Sequence, residues 1–315
     1  MKKVSILIPA FNEEASLPLL YSELIKLIDG PDLSERYEWE MLFVNDGSRD
    51  NTLQVLKELR SKDPRVCYLD LSRNFGKESA MLAGFDYVTG DCVVIMDADL
   101  QHPPHIVKDM LVKWEEGYDD VYAKRLTRGK ESWMRKQLSL VFYKILNKMT
   151  RVEMLSNVGD FRLLDRKCID ALRTMREAER YTKGLYCWIG YKKTCVEFEQ
   201  GDRAAGESSW SFWGLLKLAI DGIVSFTSFP LRIATLLGVG ISIIAFIYAI
   251  FIIIRTCLYG DPVAGFPTLV CLLLFLGGLQ LLCIGVIGEY VARMFNETKN
   301  RPVYFVREYN DKIIY

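Results

Sequence analysis

An α/β domain with a mostly parallel sheet, followed by two apolar helices, is the architecture this 315-residue chain predicts. Three observations predict it. Short apolar runs alternate with helical stretches through the N-terminal third, the pattern of βαβ units. Each run ends in a polar, turn-rich cluster. Two later stretches, Ile233 to Ile254 and Pro262 to Gly288, contain no charged residue.

The elements follow in order. Val4 to Pro9 reads as a strand that leads through Phe11, Asn12, Glu13 and Glu14 into an amphipathic helix ending near Leu27. Trp39 to Val44 is a second strand. It ends in Asn45-Asp46-Gly47-Ser48-Arg49-Asp50, where Gly47 makes the turn and Ser48 or Asp50 can cap a helix starting near Thr52. Val66 to Leu71 is a third strand, closed by Arg73-Asn74-Phe75-Gly76-Lys77. A helix from Glu78 to Val88 precedes a fourth strand at 92–96. Because each polar cluster follows its strand, all four are expected at one edge of the sheet, where open α/β sheets bind ligands.

The fourth strand ends in Asp97-Ala98-Asp99-Leu100-Gln101. A strand buried on both faces needs no charge, so two carboxylates one residue apart are either a solvated strand end or a shared site for Mg²⁺ or Mn²⁺. No Gly-x-Gly-x-x-Gly follows the first strand and no Gly-x-x-x-x-Gly-Lys-Ser/Thr occurs, which disfavours dinucleotide dehydrogenases and P-loop nucleotidases. Phosphate charge would instead meet a metal and the side chains of Lys77, Arg125 and Arg128.

Composition sets bounds. The 40 basic and 40 acidic side chains cancel, so no bulk charge points to nucleic acid. Eight cysteines form no Cys-x-x-Cys pair and read as small buried hydrophobes of a reducing compartment. Each charge-free stretch exceeds the roughly 20 apolar residues needed to cross a bilayer. The link between them, Leu258 to Gly265, lacks Lys and Arg, whereas Arg232, Arg293, Lys299, Arg301 and Arg307 lie on the outer flanks and Arg255 is the one exception. By the positive-inside rule both ends of such a hairpin face the cytoplasm. The N-terminus reaches Pro9 too soon for a signal peptide. Trp133 to Lys148 mixes Arg135, Lys136, Lys144 and Lys148 with apolar and aromatic residues, and Trp210 to Phe229 is aromatic-rich, as interfacial helices are. Arg301 to Arg307 has a short strand pattern that returns to the cytoplasmic domain.

Taken in this order, Ile8 to Glu13, Asp46, Asp97-Ala-Asp99, Val158-Gly-Asp160-Phe-Arg-Leu163, Arg203-Ala-Ala-Gly206-Glu-Ser208, Gly288-Glu-Tyr290 and Arg301-Pro302 resemble the family 2 glycosyltransferases of GT-A fold. Within them the chain resembles the polyprenyl-phosphate (bactoprenol) glucosyltransferases and is similar to dolichyl-phosphate mannose synthase. The resemblance implies a Rossmann-like GT-A catalytic domain at 1–208 with an interfacial helix at about 132–150. It further implies a juxtamembrane amphipathic helix at 209–231, two transmembrane helices at about 233–255 and 266–288 within 232–290, and a cytoplasmic segment at 291–315. It places the enzyme in the inner membrane with its catalytic domain and both termini in the cytoplasm.

The same resemblance implies residue roles. Pro9, Phe11, Glu13, Asp46, Lys77, Asp97, Ala98 and Asp99 would bind the nucleotide, with Asp46 at its uridine end. Asp97, Asp99 and Gln101 would hold Mg²⁺ or Mn²⁺. Asp160 and Arg203 would be catalytic, and Arg125, Arg128, Arg203 and Ser208 would meet the acceptor phosphate. Asp160 would position the acceptor, remove a residual proton, or orient the sugar or metal; a salt bridge to Arg162 or Arg166 is the structural alternative. Many relatives carry Lys after Gly-Glu-Ser where this chain has Ser209, which shifts phosphate contact to Arg203 or Arg125.

The implied reaction is transfer of glucose from UDP-glucose to undecaprenyl phosphate with inversion, by a homo-oligomer of which a tetramer is one form. The product would feed O-antigen, teichoic acid or other envelope glycosylation. N-acetylglucosamine, galactose or 4-amino-arabinose would need only small changes of pocket. Two rivals are weaker. A processive polymerase would carry Gln-x-x-Arg-Trp, which neither Gln137 nor Gln200 begins. A membrane adaptor or flippase subunit has no use for Asp46, Asp97, Asp99 and Asp160 together.

Overall fold

A computed structural model of the chain describes residues 1–126, 158–178, 180–198, 229–259 and 265–314. It divides into two compact units, Met1–Leu215 with Arg301–Tyr315, and Leu216–Asn300.

The first unit is organised by β1 (Lys2–Ala10), β2 (Tyr37–Asn45), β3 (Val66–Leu71) and β4 (Cys92–Ile95). Val4, Ile6, Leu7 and Ile8 of β1 and all of β4 are buried, the signature of strands covered on both faces. β1 pairs in parallel with β2 and β4, and β2 with β3. β5 (Asp120–Arg125), β6 (Val158–Asp165) and β7 (Lys193–Phe198) extend this core on one side, and β8 (Val306–Tyr309) and β9 (Lys312–Ile313) on the other. Among the described residues the sheet order is β7-β5-β6-β4-β1-β2-β3-β8-β9.

β6 runs antiparallel to β4 and β5, while β5 and β7 are parallel. The reversal matters for function. Ile95 lies opposite Arg162 and Lys124 opposite Val158, so the start of β6 and the end of β5 share the edge at which β1 to β4 end.

Helices α1 (Leu17–Ile28), α2 (Thr52–Lys62), α3 (Lys77–Tyr87), α4 (Ile106–Glu115), α5 (Arg166–Thr174) and α6 (Thr182–Trp188) complete the unit. α1 buries Leu17, Leu20, Leu24, Leu27 and Ile28, a stripe at helical spacing. α3 has no polar face through Ala80–Phe85, because it lies over β1 and β2 and beneath α5. Gly84 permits that approach: a Cβ there would stand 2.2 Å from Leu7 Cδ1. Of the two capping residues the sequence offered for α2, Asp50 accepts from the Thr52 amide at 3.1 Å, whereas Ser48 accepts from the Asn12 amide.

The strand pattern at 301–307 is realised only at its end, where β8 begins at Val306 and runs antiparallel to β3. Asn310 and Asp311, both at positive φ, turn the chain into β9, the two-residue hairpin geometry that a right-handed twist favours.

The second unit contains α7 (Phe229–Tyr259) and α8 (Phe266–Thr298). Among the described residues one stretch, Phe275–Thr298, is long and apolar enough to cross a membrane; Ile233–Tyr248 in α7 is a shorter apolar stretch. Leu281, Leu282, Ile284 and Ile287 of α8 are exposed, the reverse of a soluble core helix. The interfacial stretch expected at 132–150, and 209–228 of the juxtamembrane one, lie outside the described residues.

Candidate active site

The carboxyl edge of the sheet collects the polar clusters. Ala10 ends β1 and Phe11 stands 42% exposed beyond it, with Asn12 at positive φ. The Asn12 side chain accepts from the Arg49 amide at 2.9 Å, and the Thr52 hydroxyl accepts from the Glu13 amide at 2.8 Å. The loops after β1 and β2 are thereby one hydrogen-bonded body. Gly47, at φ +63°, turns the second loop where a Cβ would stand 2.3 Å from the Arg73 carbonyl carbon. Only glycine admits the third loop so closely.

Asp46 joins that third loop. Its buried carboxylate accepts from the amides of Phe75 at 2.7 Å and Gly76 at 2.9 Å. Burial raises its pKa, and these amides and Arg73 oppose the rise. The residue expected at the uridine end thus also shapes the loop that leads into α3.

α3 begins at Lys77, whose ammonium lies 2.6 Å from Asp97 Oδ1 and 2.8 Å from Asp160 Oδ2. Burial depresses the Lys77 pKa, but Asp160 and Asp97 outweigh it and hold the ammonium charged. For Asp160 burial pushes upward, and Lys77 followed by Lys183 outweighs it, leaving the carboxyl well below the usual range. Asp160 Oδ1 is buried with no hydrogen-bond partner among the described residues. The salt bridge to Arg162 or Arg166 is not formed. Arg162 pairs with buried Asp120 at 3.0 Å and lies over the Tyr186 ring, and Arg166 donates to the Gly90 carbonyl. Lys77, the partner Asp160 takes instead, comes from α3, across the sheet edge, where no spacing within β6 reveals it.

The Asp97-Ala98-Asp99 turn is internally braced. Asp99 Oδ1 accepts from the Gln101 amide at 3.1 Å, and Leu100 adopts φ +61°. Ala98 is buried, whereas Asp97, Asp99 and Gln101 are partly exposed. Glu13 faces the same group: burial raises its pKa first, and the negative charges of Asp99, Asp97 and Asp50 add to the rise. Pro9 lies on β1 beside Val44. Arg125 ends β5 with its guanidinium near Gly159, whose Cβ would stand 3.5 Å from Nη2. Arg128, Arg203 and Ser208 lie outside the described residues.

His102 was missed by the sequence reading. Its buried Nδ1 accepts from the Asp97 amide at 3.2 Å, and its ring stacks on Phe161 at 4.7 Å. Burial lowers its pKa, in keeping with a neutral acceptor ring. Its position directly after Gln101 was the available signal. Lys183 and Glu78 were also missed. Glu78 accepts from the Thr182 amide at 3.1 Å, and burial and then Asp160 raise its pKa.

Among the described residues no three His, Cys, Asp or Glu are grouped to hold a metal by themselves. Two hard carboxylates at a strand end fit a cation of the Mg²⁺ type, which keeps waters and takes its remaining ligands from substrate phosphate.

Acidic and cationic side chains converging at the carboxyl edge of a mostly parallel sheet mark the class, an α/β protein whose site lies where such sheets bind their ligands. The particular family follows from comparison. The glycosyl transferase family 2 model matches residues 5–173, and the chain belongs to that family. It is 42% identical over 306 residues to the uncharacterized glycosyltransferase sll0501 of Synechocystis sp. (strain ATCC 27184 / PCC 6803 / Kazusa), covering 97% of this chain and 95% of that one. The prophage bactoprenol glucosyl transferase homolog of Escherichia coli (strain K12) is 40% identical over 305 residues, with 97% and 98% covered. The bactoprenol glucosyl transferase of Shigella phage SfV is 39% identical over 310 residues, with 98% and 100% covered.

Proposed function

We propose that this glycosyltransferase moves glucose from UDP-glucose to undecaprenyl phosphate with inversion at the anomeric carbon. The observation that carries the reading is the Lys77 bridge between Asp97 and Asp160, set at the edge where β1 to β4 end. Near-full-length similarity to bactoprenol glucosyl transferases supports the sugar and the lipid.

Asp97, Asp99 and Gln101 would hold the divalent cation, Mg²⁺ or Mn²⁺. When bound, that cation would neutralise charge on the departing diphosphate. Pro9, Phe11, Glu13, Asp46 and Ala98 form the nucleotide side. The acceptor phosphate oxygen, already anionic, attacks the anomeric carbon as the bond to UDP breaks. It needs alignment more than deprotonation. Asp160, held ionised, is an acceptor: Oδ2 takes the Lys77 ammonium and Oδ1 is left for an incoming donor group, so that it positions the acceptor, takes its residual proton, or orients the sugar or metal. Arg125, Arg128, Arg203 and Ser208 bind the acceptor phosphate, Arg bidentately.

α7 and α8 form a two-span hairpin in the inner membrane, with the catalytic unit and both termini cytoplasmic. A lipid phosphate lies at headgroup depth, so a membrane-held site meets it without a search through bulk water. The homo-oligomer, a tetramer among its forms, belongs to the same reading and is tested by light scattering of the detergent-solubilised protein. The deciding experiment supplies purified full-length protein with undecaprenyl phosphate and a panel of UDP-sugars. Glucosyl-phosphoryl-undecaprenol is the expected product. Preference for another sugar overturns the glucose assignment, and UDP-sugar turnover without lipid product overturns the acceptor.

A further inference from the structure

We propose that the C-terminal segment beyond α8 is a positioning element for the loop between β3 and α3, with Phe305 and Arg307 as its working residues. The proposal deepens the nucleotide-site reading above and rests on it. This segment lies outside the residues matched by the family model, yet it belongs to the same compact unit as the site.

The contacts run in one direction. β8 adds to the β3 edge, where Val306 is its buried residue. The Ser72 amide donates to the Phe305 carbonyl at 2.9 Å. Arg307 Nη2 donates to the Leu71 carbonyl at 3.2 Å, and its Nε lies 3.2 Å from Asp70 Oδ2. The Phe305 ring lies 6.5 Å from the Phe75 ring, and the Arg73 guanidinium lies 3.9 Å from that same ring. Phe75 and Gly76 then donate their amides to Asp46. The tail thus holds the last residues of β3 and the aromatic side chain of the loop whose amides capture Asp46.

The arrangement is anchored further along. The Tyr68 hydroxyl donates to Glu308 and accepts from the Asp311 amide, Lys57 pairs with Glu308 at 2.8 Å, and Tyr304 donates to Asp86 on α3. Those contacts fix β8 and β9 independently of Phe305 and Arg307. Both working side chains are about half exposed, 46% for Phe305 and 51% for Arg307. Removing either leaves the core intact, so its effect falls on the loop.

The test uses the full chain in detergent. Hydrogen exchange of the Phe75 and Gly76 amides, measured without nucleotide, is expected to quicken roughly tenfold in Phe305→Ala and Arg307→Ala, which corresponds to about 1.4 kcal/mol of lost contact. UDP affinity by calorimetry is expected to weaken by a similar factor, with KM for UDP-glucose rising and kcat at saturation unchanged. Phe305→Tyr and Arg307→Lys are expected to restore both readouts in large part. Unchanged exchange overturns the positioning role. Faster exchange with unaltered UDP affinity overturns the link to the nucleotide. Exchange that quickens throughout the sheet with a fall in Tm overturns positioning in favour of general stability. Failure of the unaltered protein to bind UDP refutes the nucleotide-site reading, while the exchange data still decide whether the tail holds the loop.

Discussion

A carboxylic acid buried as deeply as Asp160 ordinarily keeps its proton, yet Lys77 and Lys183 hold it ionised. The same Lys77 reaches Asp97, so one ammonium spaces the two acids. Asp160→Asn keeps the shape and removes the charge. It is expected to lower kcat on the order of 10²–10³-fold, the scale of one lost electrostatic group, while UDP affinity by calorimetry is unchanged. Near-normal turnover would remove Asp160 from the mechanism. His102 acts at the same scale from behind Asp97. Little in the sequence marks it, because a histidine after a polar turn has no periodicity to betray its partner.

At the scale of elements, the position of α3 on the sheet sets where Lys77 points, and Gly84 sets that position. Gly84→Ala would drive a methyl into Leu7 and is expected to cost about 1–3 kcal/mol, the range for overpacking. Denaturant melts should show partial recovery in the Gly84→Ala/Leu7→Ala pair, and simple additivity would contradict the contact. A second element-level prediction concerns Glu40 on β2. Its buried carboxylate accepts from Ser5 on β1 and from the Thr89 amide, and Lys3 lies 3.4 Å away. Burial pushes its pKa up, but these donors outweigh that and leave it below the ordinary 4.5. A depressed folded-state pKa means stability that is present above 4.5 and lost as pH falls through the folded value. Glu40→Gln is therefore expected to lower Tm near neutrality, with the gap to the unaltered protein closing in acid. A gap that widens in acid would reverse the assignment.

At the scale of the molecule, the exposed apolar side chains of α8 are stable only against lipid or another apolar surface. The protein is expected to stay in the pellet when membranes are washed with alkaline carbonate and to leave it only with detergent. Release by carbonate alone would refute a spanning helix. β8 and β9 return the chain after α8 to the unit that carries the site, a closure that the family-matched region does not contain.

The sequence by itself determined the four parallel strands, the clusters at their ends, the Asp97-Ala98-Asp99 turn and the apolar character of 266–288. All are local signals: periodicity, turn residues and charge-free length survive in one dimension. Tertiary structure alone decided what those groups do to one another. It reversed β6 so that Asp160, at the start of its strand, meets residues at the ends of others. It gave Asp160 to Lys77 rather than to Arg162, turned Asp46 toward the amides of Phe75 and Gly76, and set His102 under Asp97. Those partners come from separate elements, and which of them meet depends on sheet order and register, which pattern within a segment does not encode.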